Sequence, residues 1–213
     1  MPNGGPDAYF LKQLDSLVSG YAKKGRKVVI VVGGGKTARH YIDAARKVHK
    51  VTSEDLDWMG IHATRLNGHL LRTIFRKFAH PVVIKNPTRV PKKWDGKVLI
   101  AAGWKPGWST DYVACRIAKQ LGVDTVINAS NIDYVYNADP NKDKKAKPMK
   151  EMRWVDYRKM VGSRWDPGLS LPFDPIASKF CHTHKIDVAV VGGNMTNLKK
   201  LIEGKSFKGT MLK

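Results

Sequence analysis

No run of apolar residues in this chain approaches the ~18 that a membrane-crossing helix needs. The opening, Met1-Pro2-Asn3-Gly4-Gly5, lacks the charged-then-apolar order of a secretion signal. The expectation is a cytoplasmic protein with no membrane partner. Cysteine is scarce, and Cys115 and Cys181 are too few for a disulfide framework; they suit a reducing compartment as small buried thiols. Acidic residues are also scarce: 18 Asp and Glu stand against 38 Lys and Arg, for a formal charge of +20. Such an excess attracts polyanions at long range, so nucleotides, RNA and anionic surfaces are all eligible ligands. The cations are spread along the chain, in pairs such as Lys23-Lys24, Lys92-Lys93, Lys144-Lys145 and Lys199-Lys200, which reads as a solvated basic surface. Nucleic-acid binding is the alternative reading.

What is present is an ordinary globular composition, 42% apolar and 26% charged over 213 residues, enough to bury a core as one domain. Apolar residues recur at helical spacing from Asp7 to Lys24, and Lys27 to Val32 is a short β-branched run of the kind found in parallel strands buried on both faces. Helical patterns follow from Lys36 to Val48 and from Ser53 toward Phe78. Strands are predicted at Pro81–Ile84, Lys97–Ala102, Val123–Ala129 and Asp187–Val191. Helices are predicted at Asp111–Leu121, Trp154–Val161, from the cap Asp174-Pro175, and at Thr196–Glu203. Asn141–Lys150 and Gly162–Pro172 read as exposed loops. Alternation of this kind argues for an α/β fold, a three-layer αβα sandwich with a largely parallel central sheet.

Three strand-to-helix connections carry the polar chemistry. In Val31-Val32-Gly33-Gly34-Gly35-Lys36-Thr37-Ala38-Arg39, a strand, three glycines and a helix start bear two cations. Glycines let an anion approach the backbone, and the helix N-terminus offers free N–H groups and positive potential. Phosphate is the natural ligand. Gly35-Lys36-Thr37 has the end of a P-loop, but the first glycine of that motif would fall on Ile30, inside the strand, and the spaced glycines of a dinucleotide site are missing too. The second connection, Gly103-Trp104-Lys105-Pro106-Gly107-Trp108-Ser109-Thr110-Asp111, offers hydroxyls that cap a helix or bind phosphate. The third, Ser130 to Pro140, mixes Asn, Asp and Tyr, as either a turn or a base and ribose site does. Cys181, His182 and His184 match no standard zinc spacing, and no metal site is expected there.

In their order and spacing these segments resemble the archaeal-type UMP kinases of the amino acid kinase superfamily. The likeness rests on Val32 to Arg39, on Asp57-Trp58-Met59-Gly60 with Thr64-Arg65-Leu66-Asn67, and on Pro106-Gly107 with Ser109-Thr110-Asp111. It continues through Asn131, Asp133, Val135-Tyr136, Asp139-Pro140, Asp174-Pro175, Gly204 and Gly209-Thr210. The resemblance implies phosphoryl transfer from ATP, with magnesium, to UMP. It implies one amino acid kinase domain over residues 1–213, with a UMP-binding lobe to about residue 122 and an ATP-binding lobe after it. It assigns Gly34, Asp57, Trp104, Lys105, Pro106, Gly107, Trp108, Ser109 and Thr110 to UMP. Gly35, Arg39, Ser130, Asn131, Tyr136 and Asp139 are assigned to ATP, and Lys36, Arg39, Asp111 and Asp174 to organising charge during transfer. A homo-oligomer is implied, a hexamer by resemblance.

The chain departs from the family at three places. Relatives begin with a strand and a Gly-Gly-Ser loop that holds ATP phosphates, and Met1-Pro2 falls just after that point, so the expectation is that the natural protein is longer. Tyr134 replaces the usual glycine before Val135-Tyr136. Trp104 and Trp108 stand where smaller or polar residues are common, which narrows the pockets. The alternative functions are an inactive kinase-like protein that binds RNA or ribosomes, and a kinase with another small phosphate or carboxylate acceptor.

Overall fold

The computed structural model describes residues 5–138, 143–162 and 171–213, which form two units, Met1–Ile117 and Ala118–Lys213. In the first, α1 (Ala8–Lys23) starts at Asp7, whose carboxylate accepts from Phe10 N, and ends before Gly25 at φ 79, a left-handed position that favours glycine. The chain turns there into β1 (Val28–Val31), which pairs in parallel with β2 (Val98–Ala101). Between them lie α2 (Gly35–Val48) and the 22-residue α3 (Ser53–Ile74), capped by Thr52. The core of this unit packs Val18 and Ala22 of α1 and Leu71 of α3 with Phe75 against Val98 and Ile100 of β2.

Two sequence expectations change here. β1 is half-buried along its length because, among the described residues, it pairs on one side only, whereas β2 is fully enclosed. Pro81–Ile84 forms no full strand: it contributes a single parallel bridge to β2 at Ile84, after another at Ala79, with Pro81 supplying no N–H for a ladder.

α4 (Thr110–Leu121) opens in the first unit, and the second is built on a four-stranded sheet in the order β3-β7-β8-β6. β3 (Thr125–Ser130) runs parallel to β7 (Asp187–Gly192), and β6 (Glu151–Met152) runs parallel to β8 (Thr210–Leu212). β7 and β8 are antiparallel, as is the small ribbon of β4 (Val135–Tyr136) and β5 (Pro148–Met149). Pairing among the described residues is therefore largely parallel, as expected, with two short antiparallel contacts added. The stretch expected as one loop, Asn141–Lys150, includes β5; residues 139–142 and 163–170 lie outside the described residues. The short strands escaped periodicity because two or three residues cannot show a period.

Helices α5 (Trp154–Val161), α6 (Pro175–His184) and α7 (Met195–Ile202) complete the unit. Its interior is held by paired polar groups as well as apolar contact. Tyr157 Oη donates to Phe173 O and accepts from Phe173 N at 2.8 and 2.7 Å, and the fully buried Thr210 hydroxyl accepts from Val135 N at 2.9 Å and donates to Met149 O. Each bond satisfies a group whose burial alone costs about 1–3 kcal/mol. Among the described residues, no helix is long and apolar enough to cross a membrane.

Candidate active site

At the C-terminal ends of β1 and β2, where ligands of open parallel sheets are commonly received, two loops come together over α3. The first is the glycine run. Asn67 Nδ2 of α3 donates to Gly33 O at 2.9 Å and to Gly34 O at 3.2 Å, and Gly34 O also accepts the helical bond from Ala38 N. Carbonyl and N–H of one peptide plane point in opposite directions. Anchoring these two carbonyls to the protein thus turns the N–H groups of Gly34 and Gly35 away from α3.

Packing forbids larger residues at Gly34, where a Cβ would lie 2.6 Å from Ala38 Cβ and 3.4 Å from Gly60 O. Gly35 sits at φ 58, the left-handed region. Helix α2 has no side-chain cap and no acid in its first turn, and instead carries exposed Lys36 there and exposed Arg39 one turn on. Cations at a helix N-terminus oppose its dipole, typically by 0.3–1 kcal/mol each, and both they and the dipole favour an anion there.

The second loop, Gly103 to Thr110, is latched to α3 at three points. Buried Thr64 Oγ1 accepts from Gly103 N at 2.7 Å while donating to Ile61 O at 2.6 Å; Arg65 Nη2 donates to Trp104 O at 3.1 Å; and Asp57 Oδ2 accepts from Gly107 N at 2.7 Å. A Cβ on Gly103 would meet Thr64 Oγ1 at 2.8 Å, so the close approach requires glycine. Gly107, at φ 82, turns the loop, and Ser109 then caps α4, its Oγ accepting from Tyr112 N at 3.1 Å. Thr110 comes close to the first loop, with its Oγ1 3.9 Å from where a Gly33 Cβ would stand. Trp104, Trp108 and Tyr112 form a ladder with ring centroids 5.7 and 4.1 Å apart, and the Lys105 ammonium lies 4.6 Å from the Trp104 ring.

Gly34, Gly35, Lys36, Arg39, Asp57, Asp111 and the loop from Trp104 through Lys105, Pro106 and Trp108 to Thr110 thus belong to one unit, on three neighbouring elements. Asp111 is half-buried in the first turn of α4. The sequence reading gave Thr64, Arg65 and Asn67 no role. The available signal was a polar set on α3 with Thr64 seven residues after Asp57, which puts both on one helix face.

Ser130, Asn131, Tyr136 and Asp174 belong to the other unit, and Asp139 is outside the described residues. Ser130 ends β3 and its Oγ donates to Asn131 Oδ1 at 3.2 Å; Tyr136 stands in β4. Asp174, 3% exposed, caps α6 through Ala177 N. Asn128 of β3 donates to Pro172 O at 2.9 Å and ties that strand to the approach to α6. Asp133 is pressed on Gly192 and paired with Lys208 at 2.5 Å, which raises the lysine's pKa first through the hydrogen bond and then through charge. His182 Nδ1 is 3.0 Å from Arg158 Nη1, and His184 stacks on Phe180.

The profile of the Amino acid kinase family matches residues 5–192. The chain belongs to the amino acid kinase family. Its α/β fold is the one shared by that family's solved members. A uridylate kinase of Archaeoglobus fulgidus superposes with a TM-score of 0.83 at 30% identity, over 98% of this chain and 94% of that one. A uridylate kinase of Hyperthermus butylicus is 34% identical over 185 residues, 86% of this chain and 81% of the relative. One of Methanocaldococcus jannaschii is 32% identical, over 100% of this chain and 94% of the relative. A UMP kinase of Bacillus anthracis, at 17% identity and a TM-score of 0.76, shares the fold.

Proposed function

We propose that this chain catalyses transfer of the terminal phosphoryl group of ATP to UMP, forming UDP. The observation that carries the reading is α2: a glycine-led, uncapped N-terminus whose amides are turned outward by Asn67 and whose first two turns add Lys36 and Arg39. Phosphoryl transfer needs positioning and charge neutralisation more than a covalent group, and this arrangement supplies both. In the proposal, Gly34 and the loop Trp104 to Thr110 receive UMP. Asp57, whose Oδ2 already orders the loop at Gly107, turns its second oxygen to the ribose hydroxyls. Gly35 and Arg39 meet ATP phosphates, Lys36 steadies the transferring group, and Asp111 organises charge during transfer. Ser130, Asn131, Tyr136 and Asp139 are assigned to ATP, and Asp174 to charge organisation.

Magnesium accompanies ATP and neutralises charge on its phosphate oxygens. The described residues hold no group of three or more His, Cys, Asp or Glu, so the donor set fits a cation carried by phosphate, not one caged by protein. The reading carries a cytoplasmic location and a homo-oligomeric, hexameric assembly.

The test is ADP release measured with UMP, CMP, AMP and GMP as acceptors. UMP is expected to exceed the others at least about tenfold in kcat/KM, a difference of about 1.4 kcal/mol in transition-state binding. Equal turnover of all four, or preference for another acceptor, refutes the assignment.

A further inference from the structure

The opposite end of the first unit, at the N-terminal ends of β1 and β2, has a different chemistry. Three segments meet there: residues 23–27 after α1, residues 72–77 at the end of α3, and residues 92–97 before β2. Val28 N donates to Lys97 O at 2.8 Å, Lys97 N to Phe78 O at 2.7 Å, and the Lys27 ammonium sits 4.2 Å from the Trp94 ring centroid. Their seventeen residues contain ten Lys or Arg and a single carboxylate, Asp95. All ten cations except Arg72 and Lys97 are exposed. None of the ten stands in a salt bridge among the described residues. A quarter of the chain's cations is thus gathered in three adjoining segments that hold one carboxylate, an excess that destabilises the compact state by self-repulsion and favours an external polyanion.

Three kinds of polyanion could answer, and the side chains distinguish them. Membrane-surface binding uses apolar side chains as wedges beside the cations, but no exposed large hydrophobic residue lies in these three segments. Protein interfaces are depleted in Lys at their cores, and seven of the ten cations are Lys. Phosphodiester backbones are held by Lys and Arg as exposed point charges, with no apolar anchor and no base contact required. We propose that this face binds a nucleic-acid strand through its phosphates, without reading sequence, as a property separate from the kinase site at the other end of the strands.

The experiment is anisotropy titration of a labelled RNA of about 20 nucleotides and mixed sequence at salt between about 50 and 200 mM. A variant carrying Lys23→Gln, Lys24→Gln, Lys92→Gln and Lys93→Gln is compared with one carrying Lys144→Gln, Lys145→Gln, Lys159→Gln and Lys179→Gln, which loses the same charge elsewhere. At ~0.7 per phosphate contact, the first variant should lower the log–log salt slope by about 3 and weaken binding at least about tenfold, and the second should change affinity less than about twofold. Lys92→Gln with Lys93→Gln alone, on a loop where folding is not at stake, should lower the slope by about 1.4. Equal losses in both quadruple variants would reduce the effect to net charge and overturn the proposal. So would an unmodified chain that ignores RNA, or one captured by anionic phosphatidylserine vesicles and not by RNA.

Discussion

Replacing Thr64 with valine isolates one latch between α3 and the loop after β2. The two side chains have nearly the same shape, so the change opens no cavity at this 5%-exposed position. What disappears is the hydroxyl that accepts from Gly103 N at 2.7 Å and donates to Ile61 O at 2.6 Å. Ile61 O keeps its helical partner within α3, but the buried Gly103 N–H faces a methyl group, and leaving such a donor unmatched costs about 1–3 kcal/mol. For a chain of this length ~2 kcal/mol corresponds to a fall of about 4–8 °C in Tm, readable by calorimetry. Thr64→Ser keeps both bonds and removes one methyl, so its loss should stay near ~0.8 kcal/mol. Because Gly103 begins the loop that reaches Gly107 and Ser109, Thr64→Val should also raise KM for UMP with less effect on kcat. If Thr64→Val melts within about 1 °C of the unmodified chain, or Thr64→Ser falls as far as Thr64→Val, the hydroxyl does not hold the loop and the reasoning fails.

Gly34→Ala drives a Cβ to 2.6 Å from Ala38 Cβ on a helix that cannot yield, and should destabilise by about 1–3 kcal/mol and weaken nucleotide binding by calorimetry. Lys36→Ala removes a full charge from the proposed anion site and should lower kcat by about a hundredfold or more in the ADP-release assay. Asp57→Asn retains an oxygen for Gly107 N but no charge for the ribose hydroxyls; Tm should hold while KM for UMP rises about tenfold, a change of about 1.4 kcal/mol. Burial raises the Asp187 carboxyl above its ordinary pKa, with Lys213 opposing and Asp124 and Glu151 reinforcing. The folded state then binds this proton more tightly than the unfolded chain, so its ionised form weakens folding above the raised pKa. Asp187→Asn should therefore raise the urea midpoint at neutral pH, with the gain vanishing as pH falls below about 3.9.

Helices α1, α2, α5 and α7 were legible because each combines an apolar stripe with local punctuation: Asp7 before α1, Gly25 after it, and the glycines before α2. The start of α6, though not its end, followed from Asp174-Pro175 alone. Strand edges were not legible. Lys27–Val32 read as a run buried on both faces, yet β1 is half-buried, because exposure depends on how many neighbours a strand acquires. The ribbon of β4 and β5 and the antiparallel contact of β7 with β8 are long-range pairings that a local pattern cannot announce.

At the site the division is the same. The sequence by itself marked the connection after β1 as the candidate anion site, since three glycines, a helix start and two cations within seven residues have few other physical uses. It also determined the family, through motifs kept in order over most of the chain. Only tertiary structure showed that Asn67, 33 residues away, holds the glycine carbonyls, that Thr64, Arg65 and Asp57 hold the second loop against α3, and that three separate cationic segments adjoin at the other end of β1 and β2. The physical reason is range. Backbone conformation and charge are properties of neighbours in the chain, whereas hydrogen-bond satisfaction and surface field are properties of neighbours in space.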